Sequence, residues 1–249
     1  MREANGAQRI WEIDFLRGLA IILMVGYHLL FDLGEFRGIK RFLGFSTDLS
    51  SAVWTAAQYF FAGLFVVLSG ISSTLSRNNV RRGLRLLAVA LALTLGTYLI
   101  AVWLHFFDPA DTIIFGILHC LAVSMLLYGA VFKKVSAAAN ALCGAAVMGL
   151  AALLPIVGKV FSIRSNWLIP FGLPSQSFSS LDYFPLIPWF GVFLIGVALG
   201  KSVYASKRSL LPWRLPGTFV NAAGRHSLLI YIVHQPVIMG VLYVLGRMK

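Results

Sequence analysis

The sequence predicts an all-α polytopic membrane protein, a bundle of about seven transmembrane helices, with six to eight as the range. Three observations predict it: 59% of the 249 residues are hydrophobic, only 12% are charged, and the mean hydropathy is +0.82. Soluble domains carry about 45–50% apolar and about 25% charged residues. This chain therefore has too few polar residues to cover a water-exposed surface, which nearly excludes a soluble globular enzyme.

Seven stretches provide the roughly 20 apolar residues that cross about 30 Å of hydrocarbon. They are Ile13–Leu33, Ala52–Leu75, Leu84–Leu104, Ile113–Phe132, Ala137–Val157, Phe184–Gly200 and Ser227–Leu245. The first holds Asp14 and Arg17 and lacks a cleavage site, so we expect an uncleaved helix. The sixth is short, and its Pro185 and Pro188 predict a kinked entry.

One transmembrane domain over residues 1–249 is the simplest organisation, because no repeat or low-complexity tract divides the chain. The segment from Gly158 to Tyr183 is rich in Pro, Ser and Gly, and we expect an interfacial loop or lid on the outer surface. Cys120 and Cys143 fall within apolar stretches and are predicted to be buried thiols.

The formal net charge of +12 comes from basic residues in short runs between apolar stretches. This distribution favours membrane orientation and contact with anionic lipid over nucleic-acid binding. With the N-terminus in the cytoplasm, the inner side holds Arg2, Arg9, Arg77, Arg81, Arg82, Arg85, Lys133, Lys134, Lys201, Lys207, Arg208, Arg214 and Arg225. The outer side holds only Arg37, Lys40, Arg41, Lys159, Arg164, Arg247 and Lys249. The bias predicts an inner N-terminus and an outer C-terminus.

Ionisable residues within spans cost at least about 2.5–3.5 kcal/mol, so each is a candidate functional residue. His28 and Asp32 lie four residues apart on one face of the first helix. Asp32 could fix the tautomer of His28 and make it a general base. The alternative is that His28 binds a neighbouring helix and Asp32 is a boundary residue.

Asp14 and Arg17 lie three residues apart nearer the cytoplasmic end of the same helix. They form either a structural ion pair at the boundary or part of an anion site. In the second case Arg17 acts with Arg82 and Arg85 of the second inner loop on an anionic group that enters from the cytoplasm.

His105, His119 and His234 show no metal-ligand spacing, so no metal is expected, and a structural histidine is an equal alternative for each of the three. Gln58 and the Ser69–Gly70 pair either line a substrate tunnel or allow close helix packing. His119 and Gln58 are also candidate oxyanion donors.

The segment RIWEIDFLRGLA from Arg9 to Ala20, continuing to Met24 and His28, resembles the start of the heparan-alpha-glucosaminide N-acetyltransferase catalytic-domain family. Further similar segments span nearly the whole chain: Phe61–Gly70, Gly116–Leu121, Asp182–Gly191 and Gly224–Pro236. The spacing from Arg17 to His28 also resembles that of membrane O-acyltransferases that modify envelope polysaccharides.

The resemblance implies a transmembrane acyltransferase in a bacterial inner membrane. It would move an acyl group, most simply acetyl, from cytoplasmic acyl-CoA to an amino sugar or other glycan or small acceptor outside, by N- or O-transfer. It implies His28 as base with Arg17 as its motif partner. The catalytic histidine of the lysosomal relative lies in the loop after the first helix, where this chain has none, so that position does not transfer.

The predicted site therefore has three parts. The catalytic residues are His28, Asp32 and Arg17; the acyl-CoA-binding residues are Asp14, Arg17, Arg82 and Arg85; the substrate-binding residues are His119, Gln58, Asp182 and His234. The expected partners are acyl-CoA, the acceptor and membrane lipid, without nucleic acid, and a homodimer is left open. The alternatives are a transporter or small-molecule-binding membrane protein, and a non-enzymatic partner whose polar residues only join helices.

Overall fold

The computed structural model describes residues 10–105, 108–161, 166–211 and 218–246. Arg2, Arg9, Arg164, Arg214, Arg247 and Lys249, used above for orientation, lie outside the described residues. The described helices are α1 Trp11–Arg37, α2 Ala52–Leu75, α3 Asn79–Leu104, α4 Ile117–Ala130, α5 Ala137–Leu150, α6 Leu154–Phe161, α7 Leu186–Ser202, α8 Phe219–Arg225 and α9 Ser227–Val244. The predicted all-α fold class is confirmed.

Five described helices are long and apolar enough to cross a membrane: Trp11–Arg37, Ala52–Leu75, Asn79–Leu104, Ala137–Lys159 and Ser227–Val244. Two more apolar helices, α4 and α7, are shorter. They occupy the fourth and sixth predicted spans, so every predicted span contains an apolar helix. The protein is an integral membrane protein, and the count of seven crossings stays a prediction.

Three local features differ from the sequence prediction. The segment after Gly158 is not all loop, because α6 continues to Phe161 and a 3₁₀ helix covers Asn166–Phe171. The predicted inner loop after the sixth span contains α8. Two short strands, β1 Arg41–Phe42 and β2 Phe45–Ser46, form an antiparallel hairpin.

The expected kink is present, since Ile187 has non-helical backbone angles before Pro188.

The chain forms two compact units. The first comprises residues 1–68 and 207–249, and the second comprises residues 69–206. The single domain expected from the sequence stays a prediction.

In the first unit, α1 packs against α8 and α9. Leu33 of α1 joins Ile238 and Leu242 of α9 in a buried apolar cluster, with Leu29 packed against it. His28 lies against His234, which is earlier in α9, so residues later in α1 contact residues later in α9. The two helices therefore run in the same direction, as an odd number of crossings requires.

In the second unit, α3 packs on α4 and α5 packs on α7. A Cβ added to Gly191 of α7 would lie 2.6 Å from the carbonyl oxygen of Gly144 in α5, so these two backbones approach closely. Gly70 likewise lies against α7, because an added Cβ would lie 2.2 Å from the carbonyl oxygen of Phe193. Close packing is thus the observed role of Gly70. Cys120 is a buried free thiol and Cys143 is half-buried.

Candidate active site

Helices α1 and α9 bring four polar side chains together in the first unit. The rings of His28 and His234 lie edge to face, with centroids 5.0 Å apart. The amide of Gln235 donates from Nε2 to Oδ1 of Asp32 at 3.2 Å. The four-residue spacing of His28 and Asp32 places both on one face of α1. Three predicted site residues are therefore assembled, and Gln235 joins them.

Backbone carbonyls set the tautomers of both histidines. Nδ1 of His28 lies 2.9 Å from the carbonyl oxygen of Met24, and Nδ1 of His234 lies 2.7 Å from that of Tyr231. A carbonyl oxygen only accepts, so each Nδ1 carries the proton and each lone pair is at Nε2. The carbonyl of Met24, rather than Asp32, thus holds His28 in the form that a general base requires.

The buried atoms of this cluster are hydrogen-bond acceptors. Asp32 is fully buried, and its Oδ2 has no hydrogen-bond partner among the described residues. The same holds for Oε1 of Gln235 and Nε2 of His234. Buried polar atoms in proteins are normally paired, and leaving one unpaired costs about 1–3 kcal/mol. The cluster therefore suits a ligand group that is rich in donors.

Gln58 lies beside this cluster through Tyr27. The hydroxyl of Tyr27 donates to Oε1 of Gln58 at 3.4 Å, and its ring lies 5.9 Å from that of His28 and 6.1 Å from that of Trp54. Gln58 is exposed. Tyr27 and Trp54 were not predicted as site residues, because aromatic side chains in an apolar helix are usually packing residues.

Arg17 and Asp14 form a salt bridge with N···O at 3.1 Å, and contact of Arg17 with an anionic ligand stays a prediction. Eleven residues of helical rise place Arg17 roughly 16 Å from His28. The structure therefore does not bring Arg17 to the histidine pair.

Glu12, which was not predicted as a polar contact, is buried and accepts from the Ser209 hydroxyl at 2.5 Å and the Leu210 N–H at 2.7 Å.

The other basic candidates lie at the start of α3 in the second unit. Arg82 donates from its guanidinium to the carbonyl oxygen of Ser72 at 3.4 Å. Arg85, one helical turn later, is exposed. Both guanidinium groups lie in the first two turns of α3, and their binding to an acyl-CoA phosphate stays a prediction.

His119 is buried at the start of α4 and holds the opposite tautomer. The Thr94 hydroxyl donates to the carbonyl oxygen of Ile113 at 2.6 Å, so it accepts from Nε2–H of His119 at 3.2 Å. The lone pair of His119 is therefore at Nδ1, which is buried without a hydrogen-bond partner among the described residues. Phe115 stacks on the ring. A substrate contact of His119 stays a prediction.

Asp182 caps α4 from a distant segment. Its Oδ2 accepts the N–H of Ile117 at 3.0 Å, and the N–H of Phe184 donates to the carbonyl oxygen of Phe115 at 2.9 Å. A Cβ at Gly116 would lie 2.1 Å from the same carboxylate oxygen, so glycine makes this approach possible. The bond gives Asp182 a structural role, and contact with substrate stays a prediction.

A cleft of about 370 Å³ opens beside this segment in the second unit. It is lined by Ile114, Phe115, Asn166, Trp167, Ile169 and Pro170. The hydroxyl of Tyr183 donates to the carbonyl oxygen of Ile169 at 2.8 Å, and burial raises the pKa of Tyr183 to about 12. Tyr183 thus stays neutral and holds Ile169, which lines the cleft, through its hydroxyl.

Sequence reasoning missed Gln235 as a partner of Asp32, although the His234-Gln235 dipeptide in an apolar stretch is a signal of polar contacts within the membrane. Among the described residues no group of three or more His, Cys, Asp or Glu side chains could hold a metal.

No curated protein sequence and no solved structure matches the chain. The family model described as heparan-alpha-glucosaminide N-acetyltransferase, catalytic, matches residues 9–236. This match covers most of the chain and confirms the resemblance found in its motifs. The family supports a membrane acetyltransferase function in general. The chain therefore belongs to the heparan-alpha-glucosaminide N-acetyltransferase catalytic-domain family.

Proposed function

We propose that the protein transfers an acetyl group from cytoplasmic acetyl-CoA to the amino group of an amino sugar on the outer side of a bacterial inner membrane. His28 is the general base. Asp32 binds the amino group, and Gln235 holds Asp32 in place. The whole chain acts as a single transmembrane domain, with the N-terminus in the cytoplasm.

The acceptor-rich cluster on α1 and α9 is the observation that carries this proposal. An amine enters from water as an ammonium ion, with three N–H donors and a positive charge. Within the described part of the chain, the cluster offers a buried carboxylate with an unpaired oxygen, an unpaired amide oxygen and an unpaired imidazole nitrogen. A buried carboxylate is costly without a cationic or donor partner. An ammonium ion would satisfy these groups better than a hydroxyl, which supplies one donor.

His28 performs the proton transfer in this scheme. The amine nitrogen attacks the thioester carbonyl carbon, a C–N bond forms, and the C–S bond breaks. Nε2 of His28 takes a proton from the attacking nitrogen and passes it to the departing thiolate sulfur, giving the amide and CoA thiol. The Met24 carbonyl, by binding Nδ1–H, keeps the lone pair of His28 at Nε2 for this step.

Basic side chains would bind the phosphates of acetyl-CoA. Arg82 and Arg85 at the start of α3 in the second unit are assigned this role; for Arg17 and its partner Asp14, in α1 of the first unit, the same role stays a prediction. All four lie on helix segments that the charge bias places near the cytoplasm. Gln58 is assigned to the acceptor through Tyr27 in the first unit. For His119 and Asp182 of the second unit, contact with the acceptor stays a prediction.

The test is acetyl transfer by the detergent-purified protein, followed by mass spectrometry of the product. Glucosamine is compared with glucose, which has a hydroxyl in place of the amine. We expect acetylglucosamine as product, and a loss of about 100-fold or more in His28→Ala, since a general base contributes about 10²–10⁴-fold.

His105→Asn is the control, because this exposed histidine ends α3 with φ of 51°, a conformation that Asn adopts readily. Unchanged transfer in His28→Ala would contradict the assigned base. Equal transfer to glucose would contradict the amine preference.

Orientation has its own test. Alkaline phosphatase fused after Lys249 folds only outside the cytoplasm, so an inner N-terminus with an odd number of crossings predicts an active fusion. An inactive phosphatase together with a fluorescent cytoplasmic reporter at the same position would reverse the assignment of the C-terminus. The parallel direction of α1 and α9 supports the active outcome.

A further inference from the structure

An ammonium acceptor must lose two protons before it becomes an amide, and the general base assigned above removes one. Resting on the proposed function, we infer that His234 is a second catalytic base, which takes the first proton of the ammonium acceptor before His28 takes the second. The active centre is then a pair of imidazoles with successive tasks.

The geometry supplies two bases rather than one. The rings of His28 and His234 are 5.0 Å apart by their centroids, and each ring has its Nδ1 on a carbonyl of its own helix. Both lone pairs are therefore at Nε2. Neither ring can donate from Nε2 to an oxyanion while it is neutral, so the chemistry open to both is proton acceptance.

Nε2 of His234 is not explained by a structural role. A histidine that only joins helices would use both ring nitrogens, because buried polar atoms are normally paired. Nδ1 of His234 is used on the Tyr231 carbonyl, whereas Nε2 is buried and has no hydrogen-bond partner among the described residues. An acceptor N–H donor would provide that partner.

Burial and the nearby His28 disfavour an imidazolium at His234, so a transient proton there needs a carboxylate close by. His28 faces it from α1, Tyr231 contacts it from its own helix, and Asp32 binds its neighbour Gln235. Tyr27 lies beside His28. The other titratable groups of α1, α8, the connection between α8 and α9, and α9 itself are Glu12, Asp14, Arg17, Glu35, Arg37, Arg225, His226 and Tyr243. Asp32 is the buried carboxylate that accepts from Gln235, the residue next to His234, and its charge would offset the proton on His234.

The steps balance. The ammonium gives one proton to Nε2 of His234, leaving a neutral amine. The amine nitrogen then forms the bond to the thioester carbon and the C–S bond breaks, while the second proton passes through Nε2 of His28 to the thiolate. The products are the amide, CoA thiol and one proton, which leaves His234 for water.

The pH dependence of transfer to glucosamine in His234→Asn tests this inference. The amide nitrogen of Asn can replace Nδ1 as donor to the Tyr231 carbonyl, but Asn has no equivalent of the Nε2 lone pair. At pH 6.5 we expect kcat/KM to fall at least about tenfold. The loss can be smaller than the roughly 10²–10⁴-fold contribution of a general base, because some of the amine is already neutral at that pH. At pH 9, where water has already deprotonated the amine, we expect the variant to approach the wild type.

His28→Asn is the matched variant, which keeps the donor to the Met24 carbonyl and should be impaired at both pH values. An equal loss in His234→Asn at pH 6.5 and pH 9, or no loss at either, would overturn the role of His234. If His234→Asn does not fold, His234→Gln replaces it with the same criteria. If the wild type acetylates no amine, the proposed function itself fails.

Discussion

Gly18 and Val220 are in backbone contact where α1 crosses α8. A Cβ added at Gly18 would lie 1.8 Å from the carbonyl oxygen of Val220. The contact is reciprocal, because a Cβ at Gly224 of α8 would lie 1.7 Å from the carbonyl oxygen of Asp14 in α1. These distances involve backbone atoms, so no side-chain rotation can relieve a clash. The two glycines therefore fix how closely α8 approaches the helix that carries His28.

Gly18→Ala should destabilise the protein because α1 and α8 must separate. Overpacking of this kind costs about 1–3 kcal/mol, measured as the free energy of unfolding in detergent micelles. Gly26→Ala is the control on the same helix, since a Cβ there meets no atom of the described residues within 4 Å. Alanine should stabilise that position by about 0.5–1 kcal/mol. Equal effects of the two substitutions would contradict the crossing.

The sequence predicted the helices well and did not predict which helices pack together. Hydropathy located the seven apolar helices found among the described residues, and α2 was predicted with its observed ends, because lipid demands long apolar stretches. The short α8 was missed since seven residues between polar loops give no transmembrane signal. The sequence contains Gly224 of α8, but it does not show that this glycine packs against Asp14, because that contact depends on tertiary structure.

The sequence identified residues of the candidate site but not their hydrogen-bond partners. The cost of polar groups in lipid singled out His28, Asp32 and His234. The four-residue spacing suggested a bond from Asp32 to His28, whereas the structure gives Asp32 the amide of Gln235 and gives His28 the carbonyl of Met24. Local spacing can reveal a shared helix face, but it cannot show what the opposite helix offers.

Gln235→Met should destabilise the first unit because Asp32 would lose its amide donor. Leaving a buried acceptor without its partner costs about 1–3 kcal/mol, again measured by unfolding in micelles. Gln58→Met is the comparison: its bond to Tyr27 is longer, at 3.4 Å, and its side chain is exposed. We expect a clearly smaller loss there. A larger loss in Gln58→Met would mean that the Asp32 bond contributes little.

Substitutions of Asp182 separate capping from substrate binding. Asp182→Ala removes the acceptor for Ile117 N–H and should cost about 0.5–2 kcal/mol, the usual value of a helix cap. Asp182→Asn keeps a side-chain oxygen and should retain most of the stability. Acetyl transfer is measured on the same two proteins. Normal stability with strongly reduced transfer in Asp182→Asn would show that the carboxylate charge acts on substrate.

Lys201 at the end of α7 should stabilise the fold through hydrogen bonds. This effect is separate from its predicted effect on membrane orientation. Its ammonium donates to the carbonyl oxygens of Phe132 at 3.2 Å, Lys133 at 2.9 Å and Val135. An ammonium group has three donors, so all three are used. The connection between α4 and α5 is thereby tied to α7.

Lys201→Met should therefore lower the free energy of unfolding by about 1.5–3 kcal/mol, as expected for hydrogen bonds to a charged group. Lys134→Met removes an equal charge from the same region, and Lys134 is exposed. That change should stay within about 0.5 kcal/mol of the wild type, as for most surface substitutions. Both variants reduce the predicted inner charge by one, so a difference between them isolates the carbonyl contacts. Equal stability of the two would mean that the carbonyl contacts add nothing beyond the charge.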